Sequence, residues 1–134
     1  MPDYYGLPQA AEGGVPAGGD QDVGYFVMSA PIDAHMRIIA ADFVGGDASE
    51  NYDLRVWPAG TTFPASTANS IVWAGGALAG AQARPITIFQ SQDRQSVGWN
   101  IIPAGWTLGL MPVTAGSAAS ATVRIVGVPM KVAR

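Results

Sequence analysis

The stretch Tyr52-Asp53-Leu54-Arg55-Val56-Trp57 alternates apolar and polar side chains over its first five residues. Successive side chains of an extended strand point to opposite faces, so Tyr52, Leu54 and Val56 share one face. A period of two predicts a strand buried on one side and exposed on the other. Residues 121–128, ATVRIVGV, repeat the pattern near the other end of the chain.

Other runs rich in strand-forming residues lie around these two, separated by Gly, Pro and polar turn signals, at 25–30, 35–44, 70–73, 86–89, 96–102 and 106–113. We therefore predict an all-β fold, an antiparallel β-sandwich or barrel (jelly-roll-like) of about seven or eight strands. Pro129 interrupts the last strand, which favours an edge position for it.

Residues 1–22 contain three prolines and five glycines and have no periodic apolar pattern. Such a segment buries too little to order itself, so we predict an extended or flexible N-terminal arm at 1–22 and a single β domain at 23–134. Tyr4, Tyr5 and Leu7 are the candidate anchors if the arm docks on a neighbouring subunit. A tail without a binding role is the equally weighted alternative.

The composition favours an assembly component over an enzyme. Charged residues make up 13% of the chain, about half the usual share, so much of the surface is expected to meet other protein. Cysteine is absent and His35 is the single histidine. Disulfides, cysteine zinc sites, multi-histidine metal sites and a Ser-His-Asp triad are thereby excluded, and no cofactor is expected.

Charge is distributed unevenly along the chain. Residues 1–53 carry a formal charge of −8 and residues 54–134 carry +5. The two parts can pair head to tail between copies, or interleave within one domain so that the charges cancel, which is the favoured interpretation. The bases are too few and scattered for a nucleic-acid groove. No apolar run is long enough to span a membrane, and the N-terminus lacks the features of a secretion signal, so synthesis in a cytoplasm is expected.

Residues 54–63 and 99–108 match each other: an apolar strand, then Pro-Ala-Gly, then a residue, Thr and a large apolar residue. Proline sets φ for the first corner of a turn and glycine accepts a positive φ. We predict that each copy makes a corner between two strands, with the possibility that it joins two sheets. A third Pro-Ala-Gly at 16–18 lacks the strand context and is set aside.

Few residues suggest chemistry. Asp33 and His35 would share a strand face, but a hydrogen-bonded histidine at a sheet edge is the favoured interpretation. The acids Asp42, Asp47, Glu50 and Asp53 lack the spacing of an EF-hand loop. A solvated acidic loop is therefore favoured over a calcium site.

The tryptophans are Trp57, Trp73, Trp99 and Trp106. They could form a sugar-stacking platform, pack in the core or anchor an interface. Exposure is plausible for Trp57 and Trp73 beside turns, and low charge favours the interface. We therefore name Trp57, Trp73 and Trp106 as candidate interface residues.

Residues 100–108, NIIPAGWTL, and 114–129, TAGSAASATVRIVGVP, resemble the capsid-decorating (cement) proteins of tailed bacteriophages. These segments lie in the C-terminal third of the chain, where the resemblance extends over roughly 35 residues and rests on the pattern of turns and strands. It implies a β-sandwich or barrel on the capsid exterior of the virion, often a trimer, with the major capsid protein and copies of itself as partners. It implies no reaction and no catalytic residue.

Three function classes therefore stand as hypotheses. The first is a capsid decoration protein that stabilises the phage head by bridging major capsid subunits. The second is a carbohydrate-binding or receptor-binding β-sandwich that uses exposed tryptophans. The third is another virion component, such as a connector or tail subunit.

Overall fold

The computed structural model describes residues 7–73, 78–90 and 101–131, and within these ranges it contains strands and no helix. The strands are β1 (Gln9–Val15), β2 (Gly19–Asp20), β3 (Val23–Ser29), β4 (Ala34–Gly45), β5 (Asn51–Trp57), β6 (Ala65–Ser66), β7 (Ile71–Val72), β8 (Leu78–Ala79), β9 (Gln82–Gln90), β10 (Ile101–Ile102), β11 (Thr107–Pro112), β12 (Gly116–Ser117) and β13 (Ala121–Lys131). Seven of them are six residues or longer.

Two antiparallel sheets account for most of these strands. Sheet one has the order β1-β13-β4, and β10 and β9 share the far edge of β4. Sheet two has the order β6-β3-β11-β5, and β7 and β8 share the far edge of β5. The short strands β2 and β12 pair separately. The predicted all-β fold with antiparallel pairing is confirmed.

The core lies between the two sheets and follows the alternation of the sequence. The predicted inner face of β5 is confirmed, because Tyr52, Leu54 and Val56 are all buried. Sheet one contributes Phe43, whose ring centre lies 5.5 Å from that of Tyr52. Each such side chain contributes about 1.5–3 kcal/mol by leaving water. The core cluster also includes Val15, Val27, Met36, Ile38, Ile102, Leu108, Leu110, Val123 and Ile125.

The predicted arm at 1–22 is wrong for residues 9–20. Strand β1 pairs with β13 over its whole length, from Gln9 opposite Gly127 to Val15 opposite Ala121, and β2 pairs with β12. The glycines that weakened the sequence pattern permit this fit. A Cβ atom at Gly13 would lie 2.3 Å from the backbone oxygen of Phe26, so only glycine lets β1 pass this close to β3. Tyr4 and Tyr5 lie outside the described residues.

The predicted edge position of the last strand is also wrong. Strand β13 lies between β1 and β4, and it continues through Pro129, which is opposite Met36. The ladder with β1 ends at Gly127. Proline is tolerated at position 129 because one side of β13 is already unpaired there.

All three Pro-Ala-Gly sequences form the same turn, including the set-aside copy at 16–18. The backbone N–H after each glycine donates to the proline carbonyl, at 3.0 Å in 16–19, 3.3 Å in 58–61 and 3.0 Å in 103–106. The glycines have φ of 86°, 87° and 80°. Alanine, and not proline as predicted, therefore takes the first corner of the turn. The turn at 103–106 joins β10 of sheet one to β11 of sheet two, as the corner prediction allowed.

Candidate functional site

The outer face of sheet two carries a row of residues in register across four strands. Val72 of β7 lies opposite Arg55 of β5, Arg55 opposite Gly109 of β11, and Gly109 opposite Phe26 of β3. On β5 and β11 these residues alternate with buried core residues, so the row faces away from the core. We call these four residues the Phe26–Val72 row.

Both ends of the row expose apolar surface. Phe26 is 50% exposed and Val72 is 48% exposed. Ile71, which is 57% exposed, lies opposite the core residue Val56 and therefore points to the other face of β7. Three strand spacings separate the two ends, about 14 Å. Between them, Nε of Arg55 donates to Oγ of Ser70 at 2.7 Å, which holds the guanidinium in place. The row therefore presents two apolar contact points with a tethered cation between them.

Trp57 lies two residues after Arg55 on β5 and so on this same outer face. Its indole Nε1 donates to the carbonyl of Ser66 at 2.7 Å, and its ring packs edge-on against Phe63 with ring centres 5.2 Å apart. The ring of Phe63 in turn packs edge-on against that of Phe26, with ring centres 6.1 Å apart. A Cβ atom at Gly24 would lie 2.2 Å from the Trp57 ring. The exposed Phe26 is thus one edge of a small aromatic cluster outside the main core.

The predicted interface residues differ in how far the structure buries them. The expected exposure of Trp57 is wrong, because it is only 1% exposed; residues 58–70 fold back over its ring. Trp73 and Trp106 are half-buried and pack against the core, so their interface role stays a prediction. Leu7 precedes β1 and is 82% exposed.

The residues that sequence reasoning missed are Phe26, Ile71 and Val72. Phe26 lies within a predicted strand, but its neighbours Tyr25 and Val27 are also apolar, so alternation could not assign it a face. The positions of Ile71 and Val72 depend on the pairing of β7 with β5, which the sequence pattern does not reveal.

Glu50 is the most constrained acidic side chain among the described residues. It is 2% exposed, which corrects the expectation of a solvated acidic loop at this position. Its carboxylate accepts hydrogen bonds from four consecutive backbone N–H groups, those of Val113 (2.8 Å), Thr114, Ala115 (2.8 Å) and Gly116 (2.9 Å). Burial raises the pKa of the Glu50 carboxyl, but these four N–H groups outweigh it and hold the pKa below its ordinary value.

Asp47 and Tyr52 extend this network to the next loop. Oδ2 of Asp47 accepts from the N–H of Ala118 at 3.1 Å. Hydrogen bonds from the N–H of Ser49, that of Ala118 and the Ser49 hydroxyl lower the pKa of the Asp47 carboxyl. The Tyr52 hydroxyl accepts from the N–H of Asp47 at 2.9 Å and lies 2.5 Å from Oγ of Ser117. The hydrogen bonds of Glu50 and Asp47 therefore hold residues 46–50 against residues 113–118. The role of both carboxylates is structural.

His35 has a structural partner as well. Its Nδ1 accepts from the N–H of Ala104 at 3.0 Å, which ties the start of β4 to the turn at 103–106. This agrees with the favoured interpretation of a hydrogen-bonded histidine. Among the described residues, no group of three or more His, Asp or Glu side chains could hold a metal ion.

The acidic and basic parts of the chain interleave, as favoured from the sequence. Strand β13 from the basic part lies between β1 and β4 from the acidic part. Among the residues that the structure describes, two ion pairs join the parts, Arg124 with Asp42 at 3.9 Å and Arg55 with Asp53 at 4.0 Å. The uneven distribution along the sequence therefore partly cancels in space.

In the part of the chain that the structure describes, no helix is long and apolar enough to cross a bilayer. Comparisons of the chain with protein-family models, with curated proteins and with solved structures found no match.

Proposed function

We propose that this protein is a virion structural protein, a capsid decoration protein that stabilises a phage head by bridging major capsid subunits. The observation that carries the proposal is the apolar surface exposed at Phe26 and Val72, on one face of a β-sandwich with few charged residues. The resemblance of residues 100–108 and 114–129 to cement proteins supports the same class.

The energy of one such contact is modest. Burying the exposed parts of Phe26 and Val72 would contribute about 1 kcal/mol each. A single copy would therefore bind weakly through these residues alone. A protein that engages several shell subunits at once gains steeply in avidity without any new kind of contact.

The test is binding to phage heads assembled without this protein. The heads should come from a phage whose genome encodes this chain. Co-sedimentation should recover the protein with the heads at saturating stoichiometry, and bound heads should survive heating that breaks bare heads. Failure to bind such heads would contradict the proposal.

Two variants locate the contact. Phe26→Ser and Val72→Ser should each lower the affinity for heads by about fivefold or more, since each removes about 1 kcal/mol of apolar burial. Ile32→Ser is the matched control, because Ile32 is also an exposed apolar residue but lies in the turn between β3 and β4. Thermal melting should show that all three variants fold. If all three variants bind heads with equal affinity, the contact does not lie on the Phe26–Val72 row.

The carbohydrate-binding alternative loses one candidate, because a buried Trp57 cannot stack on a sugar. Binding to a glycan array that Trp73→Ala or Trp106→Ala abolishes would favour that alternative over capsid decoration. A connector or tail subunit would instead assemble into rings or tubes, which its mass in solution would reveal.

A further inference from the structure

The outer face of sheet one carries a second row in register. Glu12 of β1 lies opposite Arg124 of β13, and Arg124 lies opposite Asp42 of β4. The residues on either side of Arg124 along β13, Val123 and Ile125, are buried in the core, so Arg124 points outward. We call Glu12, Arg124 and Asp42 the charged row.

A row of small residues runs beside the charged row. Ala10, Val126 and Ala40 are in register on the same three strands, two positions along. Together the two rows line an open depression of about 420 Å³. Because the alanines on both sides of Val126 are small, another sheet can approach this face closely.

Within the described ranges of the chain, the charged groups of this row form only a long ion pair. Nη2 of Arg124 lies 3.9 Å from Oδ2 of Asp42, and both side chains are partly exposed. That distance exceeds a charge-assisted hydrogen bond, which is about 2.7–2.9 Å. The guanidinium and the carboxylate can therefore form shorter bonds to a second molecule.

We propose that this face is a two-fold interface between two copies of the chain. A two-fold axis parallel to the strands, midway between β13 and β4, places Arg124 of each copy over Asp42 of the other. The same axis places Val126 of each copy over Ala40 of the other. The residues of β13 and β4 on this face are thus complementary to their copies in both charge and side-chain size, which a two-fold contact requires.

This interface is independent of the proposed function. It differs from the trimer that the resemblance to cement proteins implies, because a two-fold contact closes on two copies. The mass of the purified full-length protein, measured by sedimentation equilibrium over a range of concentrations, decides between them. A dimer is expected; a monomer at every concentration, or a trimer, would overturn the proposal.

A charge exchange tests the pairing itself. Arg124→Asp and Asp42→Arg should each weaken the dimer by about tenfold or more, because each places like charges together twice across the axis. An equimolar mixture of the two variants should form a heterodimer. In it the introduced carboxylate at 124 faces the introduced guanidinium at 42, and the native Asp42 and Arg124 face each other.

Asp20→Arg is the matched control, because it makes the same charge change at an exposed residue of β2, which does not belong to this face. It should dimerise like the wild type. Variants that dimerise normally, or a mixture that stays monomeric although both variants melt cooperatively, would overturn the pairing. Should a variant fail to fold, the wild-type dimer supplies the test: its Kd should rise with salt, since screening weakens exposed charge pairs, and a salt-independent Kd would contradict the proposal.

Discussion

Glu50 closes one end of the sandwich by accepting hydrogen bonds from four consecutive backbone N–H groups, those of residues 113–116. Successive N–H groups that converge in this way form a concave site for an anion. Here the anion is a side chain of the same molecule. The loop between β4 and β5 is thereby fixed against the segment that leads from β11 into β12, although the two are more than sixty residues apart in sequence.

Glu50→Gln should lower the free energy of unfolding by about 2–3 kcal/mol, because the amide nitrogen cannot accept from the N–H groups it would face and leaves them unsatisfied. Urea denaturation at pH 7 measures the change. Asp20→Asn is the control: it neutralises an exposed carboxylate outside the charged row and should change stability by less than about 0.5 kcal/mol. Equal effects of the two substitutions would contradict the structural role of Glu50.

Strand β1 belongs to the folded domain despite its glycine-rich sequence. It pairs along one edge of β13, and its residue Val15 is buried in the core. Val123 and Ile125, its pairing partners on β13, are also core residues. Removing β1 would therefore open the hydrophobic core along this edge.

Two truncations separate the strand from the residues before it. Removal of residues 1–7 should leave the melting temperature within a few degrees of the wild type, because it spares every pair between β1 and β13. Removal of residues 1–15 should abolish cooperative unfolding or lower the melting temperature by more than about 10 °C, since a small domain loses several degrees for each kcal/mol. Circular dichroism melts measure both. A cooperative, wild-type-like melt of the longer truncation would contradict the place of β1 in the fold.

The stability of the whole sandwich should depend on acid pH through the loops that Glu50 and Asp47 hold. Both carboxyls have a folded-state pKa below the ordinary values of 4.5 and 3.8. An unfolded chain binds their protons more readily than the folded one as pH falls. Their contribution is therefore complete above those ordinary values and is lost as pH decreases below them.

We expect the free energy of unfolding to be nearly constant from pH 7 to about pH 5 and to decline below about pH 4.5. Urea titrations at a series of pH values check this. Glu50→Gln should reduce the slope of the decline, while Asp20→Asn should reproduce the wild-type curve. A stability that increases between pH 5 and pH 3 would contradict the assigned directions.

Local features of the chain were predicted well. Alternation placed Tyr52, Leu54 and Val56 on the inner face of β5, because side-chain direction in a strand depends only on its period of two. The Pro-Ala-Gly turns at 58–61 and 103–106 were predicted for a similar reason, since a glycine at positive φ acts within four residues, although alanine and not proline takes the first corner. Even the copy at 16–18, set aside for want of flanking strands, adopts the same turn.

Features that depend on distant residues were not predicted. Gly13 weakened the strand pattern of β1, and its use became evident only with Phe26 of β3 beside it. Trp57 was expected at the surface, yet residues 58–70 cover it, and Glu50 was expected in water, yet residues 113–116 surround it. Periodicity assigns a side chain to one face of a strand, but whether another segment covers that face depends on packing between parts of the chain far apart in sequence.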